Sequence, residues 1–378
     1  MDATLLTSPE FWIDTVPLAM GKAPTGLLEI HELSSHVLFE TSGSSGRPKW
    51  VVLSKVALLV SAAAVNRHLQ VTAESSWGLV LPLHHVGGFG VCARAYEAGC
   101  QLETFEKRWD AASFTEWLSR GAVTHTSLVP TQIHDLVKAR SEAPQTLKAV
   151  VVGGGHLNAE TGQAARDLGW PVLASYGMTE AASQIATQSL DQLEEPYQPT
   201  PLPLLPIWRA EISSGDILSI SGPALFAGYV LSASDSNPHP SFVPRLSEWY
   251  VTADRCSLDL VGITPIGRAD TLVKVLGELV DPELIEREIV ALSGGKLIPG
   301  SFVVIAIAEE RVVNLLVPVF EFSCEPDAVV STLARYQKAA PGFRRLQSPV
   351  FIEKIPRSDL GKPLRKDLPS ICPKIDFV

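Results

Sequence analysis

An α/β fold is predicted from three features of this 378-residue sequence. Short apolar, β-prone runs recur at Trp77–Leu83, Ala149–Val152, Ile217–Ile220, 302–308 and 312–319. Helical patterns fall between several of them, at Ala111–Arg120, Thr131–Arg140 and Ala159–Leu168. The composition, 46% hydrophobic and 19% charged, supports a sizeable core. Strands alternating with helices favour mainly parallel pairing. The length exceeds that of one compact domain, so two are expected.

Each further stretch has its own logic. The run at Val51–Val65 is the most apolar helical candidate, broken by Ser54, Lys55 and Ser61, and no run is long enough to span a membrane. Five prolines between Pro196 and Pro206 exclude a helix or central strand and predict an extended connection. The net charge of −10 argues against nucleic-acid binding. Ten basic side chains stand against three acidic ones over residues 335–374. Such a stretch is either a solvated face or an element that meets polyphosphate. The five cysteines have no metal-like spacing and read as thiols of a reducing compartment. Without a basic, apolar leader at Met1–Thr4, the expected location is cytoplasmic, with no membrane partner.

Residues 41–49 read Thr-Ser-Gly-Ser-Ser-Gly-Arg-Pro-Lys. Glycine and hydroxyl residues let backbone N–H groups wrap phosphate oxygens, and Lys49 ends the run with a positive charge. The spacing from Gly43 or Gly46 to Lys49 is not that of a nucleotide triphosphatase P-loop, and an ordinary surface loop has similar composition.

Four later segments give the loop its meaning. Residues 175–183 read Ser-Tyr-Gly-Met-Thr-Glu-Ala-Ala-Ser, and Trp249–Arg255 reads Trp-Tyr-Val-Thr-Ala-Asp-Arg. Gly267–Glu278 reads Gly-Arg-Ala-Asp-Thr-Leu-Val-Lys-Val-Leu-Gly-Glu, and residues 356–365 read Pro-Arg-Ser-Asp-Leu-Gly-Lys-Pro-Leu-Arg. These five segments, in this order, resemble the motifs of the adenylate-forming superfamily, which includes acyl-CoA ligases, adenylation domains and luciferases. Two departures stand out: Ala253 replaces a glycine, and Trp50 follows Lys49 where a glycine is usual.

The resemblance implies a large α/β domain over residues 1–267 and a small α+β lid over 268–378, hinged near Asp270. It implies an AMP-forming acid–CoA ligase that uses ATP, Mg²⁺ and coenzyme A. Thr41, Ser42, Gly43, Ser44, Ser45, Gly46 and Lys49 would hold the pyrophosphate. Thr179 would meet the α-phosphate, and Glu180 would hold the metal, its bland alternative being a helix-start charge. Ser175, Tyr176 and Gly177, with Gly154 and Gly155, would form the adenine side. Asp254 and Arg268 would serve the ribose, although Arg268 could instead pair with Asp270. Lys362 would neutralise the attacking carboxylate and α-phosphate. After lid rotation, the Lys274–Gly277 loop would meet the CoA thiol.

Leu81–Gly90 (Leu-Pro-Leu-His-His-Val-Gly-Gly-Phe-Gly) and Ser127–Gln132 (Ser-Leu-Val-Pro-Thr-Gln) are most similar to o-succinylbenzoate–CoA ligases of menaquinone synthesis. His85, Ser127 and Thr131 are then the expected acyl-site contacts. A dicarboxylic acid calls for a second cation, yet the Thr131–Lys138 stretch offers only His134 and Asp135 in its middle. Another aryl or short acyl acid, a carrier-loading adenylation domain and a non-catalytic nucleotide-binding relative are the alternatives. The chain starts only about forty residues before the phosphate loop, and the surface this leaves suggests a homodimer.

Overall fold

The computed structural model describes residues 2–23, 25–42, 48–231, 239–309, 313–359 and 361–371. Two compact units result: Met1–Thr252 with Cys256–Pro265, and Ala253–Arg255 with Ile266–Val378. The fold is α/β and mixes sheets and helices, as the alternation of runs predicts.

The first unit is built on a six-stranded sheet ordered Gln101–Thr104, Ser76–Leu79, His125–Leu128, Ala149–Val152, Val172–Met178 and Ser183–Thr187. Its first five strands are parallel. Helices Val86–Ala98, Ala111–Arg120, Pro130–Lys138 and Ala159–Asp167 join them in turn. Fully buried runs such as Ala149–Val152 suit a sheet covered on both faces. A second, five-stranded sheet runs Leu18–Met20, His36–Ser42, Pro48–Ser54, Gly228–Leu231 and Ser241–Pro244. Only its first pair is parallel. Mainly parallel pairing therefore holds for one sheet alone. The connection between His36–Ser42 and Pro48–Ser54 is too short for a crossover, so those strands pair antiparallel.

The apolar run at Val51–Val65 divides. Its first residues end the Pro48–Ser54 strand, and helix Lys55–His68 starts where the Ser54 side chain accepts the Ala57 N–H. A strand buried on both faces and a buried helix carry the same apolar signal, so periodicity alone could not place the break. The proline stretch is extended as expected, with Leu202 bridging to Ile263 and Leu204 to Ala186.

Aromatic rings gather beneath the N-terminal segment. Phe11, Trp12, Phe39 and Phe89 are buried in the main core with ring centres 5.0 to 6.2 Å apart, and Trp12 stacks on Tyr96 at 5.3 Å. Buried Lys55 ties this segment down, donating to the Phe11 carbonyl at 2.6 Å and the Asp14 carbonyl at 2.7 Å. Those carbonyls lie at the end of the Pro9–Ile13 helix, where a cation offsets orphaned acceptors.

The second unit sets helices Pro282–Ser293 and Pro326–Ala339 with a sheet of Phe302–Glu309, Val313–Glu321 and Val350–Ile352. A hairpin of Val273–Val275 and Glu278–Val280 precedes the first helix. Its turn places Leu276 at φ 50° and Gly277 at φ 91°, a left-handed pair suited to a two-residue connection. Among the described residues no helix is long and apolar enough to cross a membrane.

Candidate active site

The phosphate-loop residues Gly43, Ser44, Ser45 and Gly46 lie outside the described residues, as does the side chain of Ser42. The strands that flank them are defined. Thr41 pairs opposite Lys49, and its hydroxyl donates to the Lys49 carbonyl at 3.2 Å. Strand alternation sends Lys49 to one face of the sheet and Trp50 to the other. Trp50 is 1% exposed and packs with Leu27, Leu33, Leu38, Val52 and Val230. Trp50 thus anchors a separate core on the face opposite Lys49.

On the Lys49 face a polar cluster assembles. Lys49 Nζ lies 3.3 Å from Glu180 Oε1 and 4.1 Å from the centre of the Tyr229 ring. The Tyr229 hydroxyl donates to the same Glu180 Oε1 at 2.9 Å and lies 3.1 Å from the Tyr250 hydroxyl. Burial, and then the Glu180 carboxylate, push the Tyr229 hydroxyl well above the ordinary tyrosine range. Glu180 sits in a one-turn 3-10 segment, Thr179–Ala181, and not at the start of a long helix, which removes its bland alternative. The Phe226 N–H donates to the Glu180 carbonyl at 2.8 Å and fixes this turn.

The turn joins the antiparallel strands Val172–Met178 and Ser183–Thr187. A Cβ on Gly177 would stand 1.8 Å from the Ser183 carbonyl oxygen, so glycine there is required by the chain's own backbone. The Ser175 hydroxyl is engaged with Thr187 Oγ1 at 2.8 Å and the Ala186 carbonyl at 3.3 Å. Tyr176 is half-buried and packs against both large cores of this unit. Gly154 and Gly155 are exposed just beyond the Ala149–Val152 strand, Gly154 at φ 77°.

Helix Val86–Ala98 carries the residue the sequence reading missed. Arg94 is 2% exposed, and its guanidinium donates to Ser127 Oγ at 3.3 Å and Ser183 Oγ at 3.2 Å. The guanidinium carbon also lies 5.2 Å from the Trp77 ring centre. Among the described residues no carboxylate forms an ion pair with it. Burial alone lowers its pKa from the usual arginine range to about 10, so it stays charged at neutral pH. Gly90, one turn earlier, leaves room: a Cβ there would stand 3.2 Å from Arg94 Nη2. Gly88 allows the helix start to meet the Pro82 carbonyl, 2.3 Å from where its Cβ would be.

Of the other expected acyl-site residues, Ser127 is buried against Arg94, and half-buried His85 precedes the Val86–Ala98 helix. Thr131 is exposed on the first turn of Pro130–Lys138. His134 lies 3.9 Å from Asp135, and the cation buried beside Ser127 is Arg94 on helix Val86–Ala98. The signal in the sequence was a lone arginine in the apolar run Phe-Gly-Val-Cys-Ala-Arg-Ala-Tyr. Tyr229 carried a weaker one, a tyrosine after a glycine at a strand start.

In the second unit, Arg268 joins Asp254 and Asp270. Its Nη1 donates to Asp254 Oδ1 at 2.8 Å, while Nε and Nη2 fork onto Asp270 at 2.8 and 2.7 Å. The pairing of Arg268 with Asp270 is thus present, together with a bond to Asp254. Gly267 before it passes so close to Asp281 that a Cβ would stand 2.4 Å from Oδ2. Lys362 projects from the turn after Ser358, where Gly361 takes φ 74°. Arg357 braces this turn through the Gly361 carbonyl at 3.1 Å and Glu321 Oε1 at 3.3 Å. Arg365 braces the far side by forking onto buried Glu286. Loss of water, and then Arg268, lower the Lys362 pKa, with Glu283 and Asp254 opposing. Lys362 keeps an exposed surface, so that desolvation is partial. Lys274 and Gly277 lie on the hairpin described above, with the Lys274 carbonyl bonded by Asn314 at 3.0 Å.

A glycine- and hydroxyl-rich loop ending in a paired lysine, a Tyr-Gly-x-Thr-Glu turn and a carboxylate–arginine pair define an adenylate-forming protein. The chain belongs to the AMP-binding enzyme family, whose model matches residues 31–230. It is similar to the 2-succinylbenzoate–CoA ligase of Escherichia coli strain K12, 32% identical over 253 residues, 66% of this chain and 51% of the relative. The ligase of the same name from Geobacillus kaustophilus is 27% identical over 354 residues, 89% of this chain and 69% of that one. Among solved structures, a variant of E. coli MenE with bound OSB-AMS matches at a TM-score of 0.68 and 27% identity, covering 84% of this chain and 64% of that one. The Bacillus subtilis o-succinylbenzoate coenzyme A synthetase in complex with ATP and magnesium ion shares the fold at a TM-score of 0.72 and 22% identity, over 88% of this chain and 69% of that one. The chain spans about half the length of the first curated relatives it matches.

Proposed function

We propose that this protein is an AMP-forming acid–CoA ligase that converts 2-succinylbenzoate, by way of its acyl-adenylate, to 2-succinylbenzoyl-CoA in menaquinone biosynthesis. The observation that carries the choice of acid is Arg94, a buried guanidinium whose side-chain partners among the described residues are hydroxyls and an aromatic face. A buried charge without a counter-ion is costly. An acid with a second carboxylate supplies that counter-ion, and a simple benzoate does not.

The chemistry brings one anion against another, so cations and directed donors must carry it. Lys49 and the 41–46 loop take the departing pyrophosphate, and Thr179 the α-phosphate. Glu180 suits a divalent cation: both of its side-chain contacts fall on Oε1, and one carboxylate beside phosphate oxygens is an ordinary magnesium environment. Bound there, Mg²⁺ neutralises phosphate charge and fixes the phosphate geometry. Asp254, steadied by Arg268, accepts the ribose hydroxyls. Ser175, Tyr176 and Gly177, with Gly154 and Gly155, form the adenine side. Residues 268–378 act as a lid hinged near Asp270 that supplies Lys362 for adenylation. They then present the Lys274–Gly277 turn to the thiol of CoA. ATP and CoA are both cytoplasmic co-substrates, which puts the enzyme there.

The test is turnover with 2-succinylbenzoate, ATP and Mg²⁺, read as pyrophosphate release, followed by thioester formation when CoA is added. Turnover with benzoate or short acyl acids and none with 2-succinylbenzoate would replace the substrate. No pyrophosphate with any acid in a hydroxylamine-trapping panel would favour a non-catalytic nucleotide-binding protein.

A further inference from the structure

We infer that Tyr229 is a positioning residue that sets the phosphate-binding ammonium of Lys49 and the metal-binding carboxylate of Glu180 in one geometry. The inference rests on the roles proposed above for Lys49 and Glu180. Tyr229 touches both at once, with its hydroxyl 2.9 Å from Glu180 Oε1 and its ring face 4.1 Å from Lys49 Nζ. No other described side chain is bonded to Glu180 besides Lys49.

The direction of the hydrogen bonds follows from the groups. A carboxylate only accepts, so the single Tyr229 proton goes to Glu180. The Tyr250 hydroxyl, 3.1 Å away, must then donate to Tyr229. This two-tyrosine chain holds Glu180 by Oε1 and leaves Oε2 out of these contacts. The Tyr229 ring is itself held by Phe226, at 4.7 Å between centres, and Phe226 also packs on Tyr250 at 5.0 Å. The strand register explains the arrangement: Tyr229 pairs with Val51 and Leu231 with Lys49, so Tyr229 and Lys49 share a sheet face.

The consequence is functional. Lys49 and Glu180 pair with each other, and a magnesium–nucleotide complex must draw them apart. Tyr229 keeps its bond to the carboxylate when the ammonium turns to phosphate, and its ring still offers the ammonium a favourable face. Without the hydroxyl, Glu180 is freed to follow Lys49 or turn to solvent.

The experiment uses the full chain, its Tyr229→Phe and Tyr229→Leu variants, and Mn²⁺ with a non-hydrolysable ATP analogue, bound metal being counted by electron paramagnetic resonance. Tyr229→Phe removes one oxygen and keeps the ring. It should weaken Mn²⁺ in the ternary complex by about tenfold or more, the usual cost of losing a partner behind a metal ligand. Its apparent KM for Mg²⁺ should rise in step, while KM for the acid stays within about twofold on the same grounds. Tyr229→Leu should in addition weaken the metal-free nucleotide. A Tyr229→Phe protein with wild-type Mn²⁺ affinity overturns the inference, and so does a lowered melting temperature with that affinity unchanged. Failure of the wild-type protein to bind the metal–nucleotide complex would overturn the assignment of Lys49 and Glu180 beneath it.

Discussion

Replacing Arg94 with methionine tests the basis on which the acid was chosen. Methionine keeps an unbranched apolar stem and removes the charge. Burial holds the guanidinium at about 10, well below the usual arginine range, which amounts to about 3 kcal/mol of unfavourable desolvation. For a base whose pKa falls on folding, that penalty is fully present below the folded value and disappears only above the unfolded one. At neutral pH the substitution relieves all of it. Against this stand the bonds to Ser127 and Ser183, worth roughly 1 kcal/mol each, and some lost packing. The folded protein should therefore melt within a few degrees of wild type. Binding should respond differently. Removing a charged partner from a carboxylate costs about 1.5–3 kcal/mol, or roughly 10- to 150-fold in kcat/KM for 2-succinylbenzoate. Pyrophosphate release measured against 2-succinylbenzoate and benzoate reads the effect as lost preference for the diacid. Unchanged preference with a collapse in melting temperature would refute the argument and make Arg94 a packing residue.

Three further outcomes are expected. Lys362→Ala should slow acyl-adenylate formation by about 10²- to 10³-fold while CoA transfer from supplied acyl-adenylate stays near wild type; equal loss of both half-reactions would sink the lid assignment. His125 is buried, and desolvation before all else lowers its pKa from 6.5 to about 4. The unfolded chain then takes up a proton that the folded chain refuses, so stability falls as pH drops from 6.5 toward 4. The loss is about 2 kcal/mol by pH 5, and urea titrations should show this component vanish in His125→Gln. Lys55→Met strips the donors from the Phe11 and Asp14 carbonyls, at about 2–4 kcal/mol. Calorimetry should show a lower melting temperature with steady-state constants for the acid unaltered; a changed KM would place the N-terminal segment in the site.

Particular residues show how far the sequence could be read. Helix Ala111–Arg120 and strands Ala149–Val152 and Ile217–Ser221 follow the pattern to within a residue, because the helix buries Ala111, Phe114 and Leu118 at helical spacing and the strands are short apolar runs. The Val51–Val65 run misled because helix and strand bury alike. Trp50 shows a related limit: adjacency to Lys49 along the chain says nothing about which sheet face it takes. The site motifs were legible because phosphate chemistry needs glycine, hydroxyl and lysine at short spacing, as in residues 41–49. Arg94 and Tyr229 were not, since each acts through partners far away in sequence, Ser127 and Ser183 for one, Lys49 and Glu180 for the other.

By itself, then, the sequence determined the α/β class, the family and the order of the phosphate, ribose and lysine segments, all of which are written in local spacing. Tertiary structure alone decided which side chains meet. It placed a buried guanidinium against hydroxyls and set one tyrosine between an ammonium and a carboxylate. The physical reason is that strand register and helix packing, not proximity along the chain, determine where a charge loses its water and what replaces it.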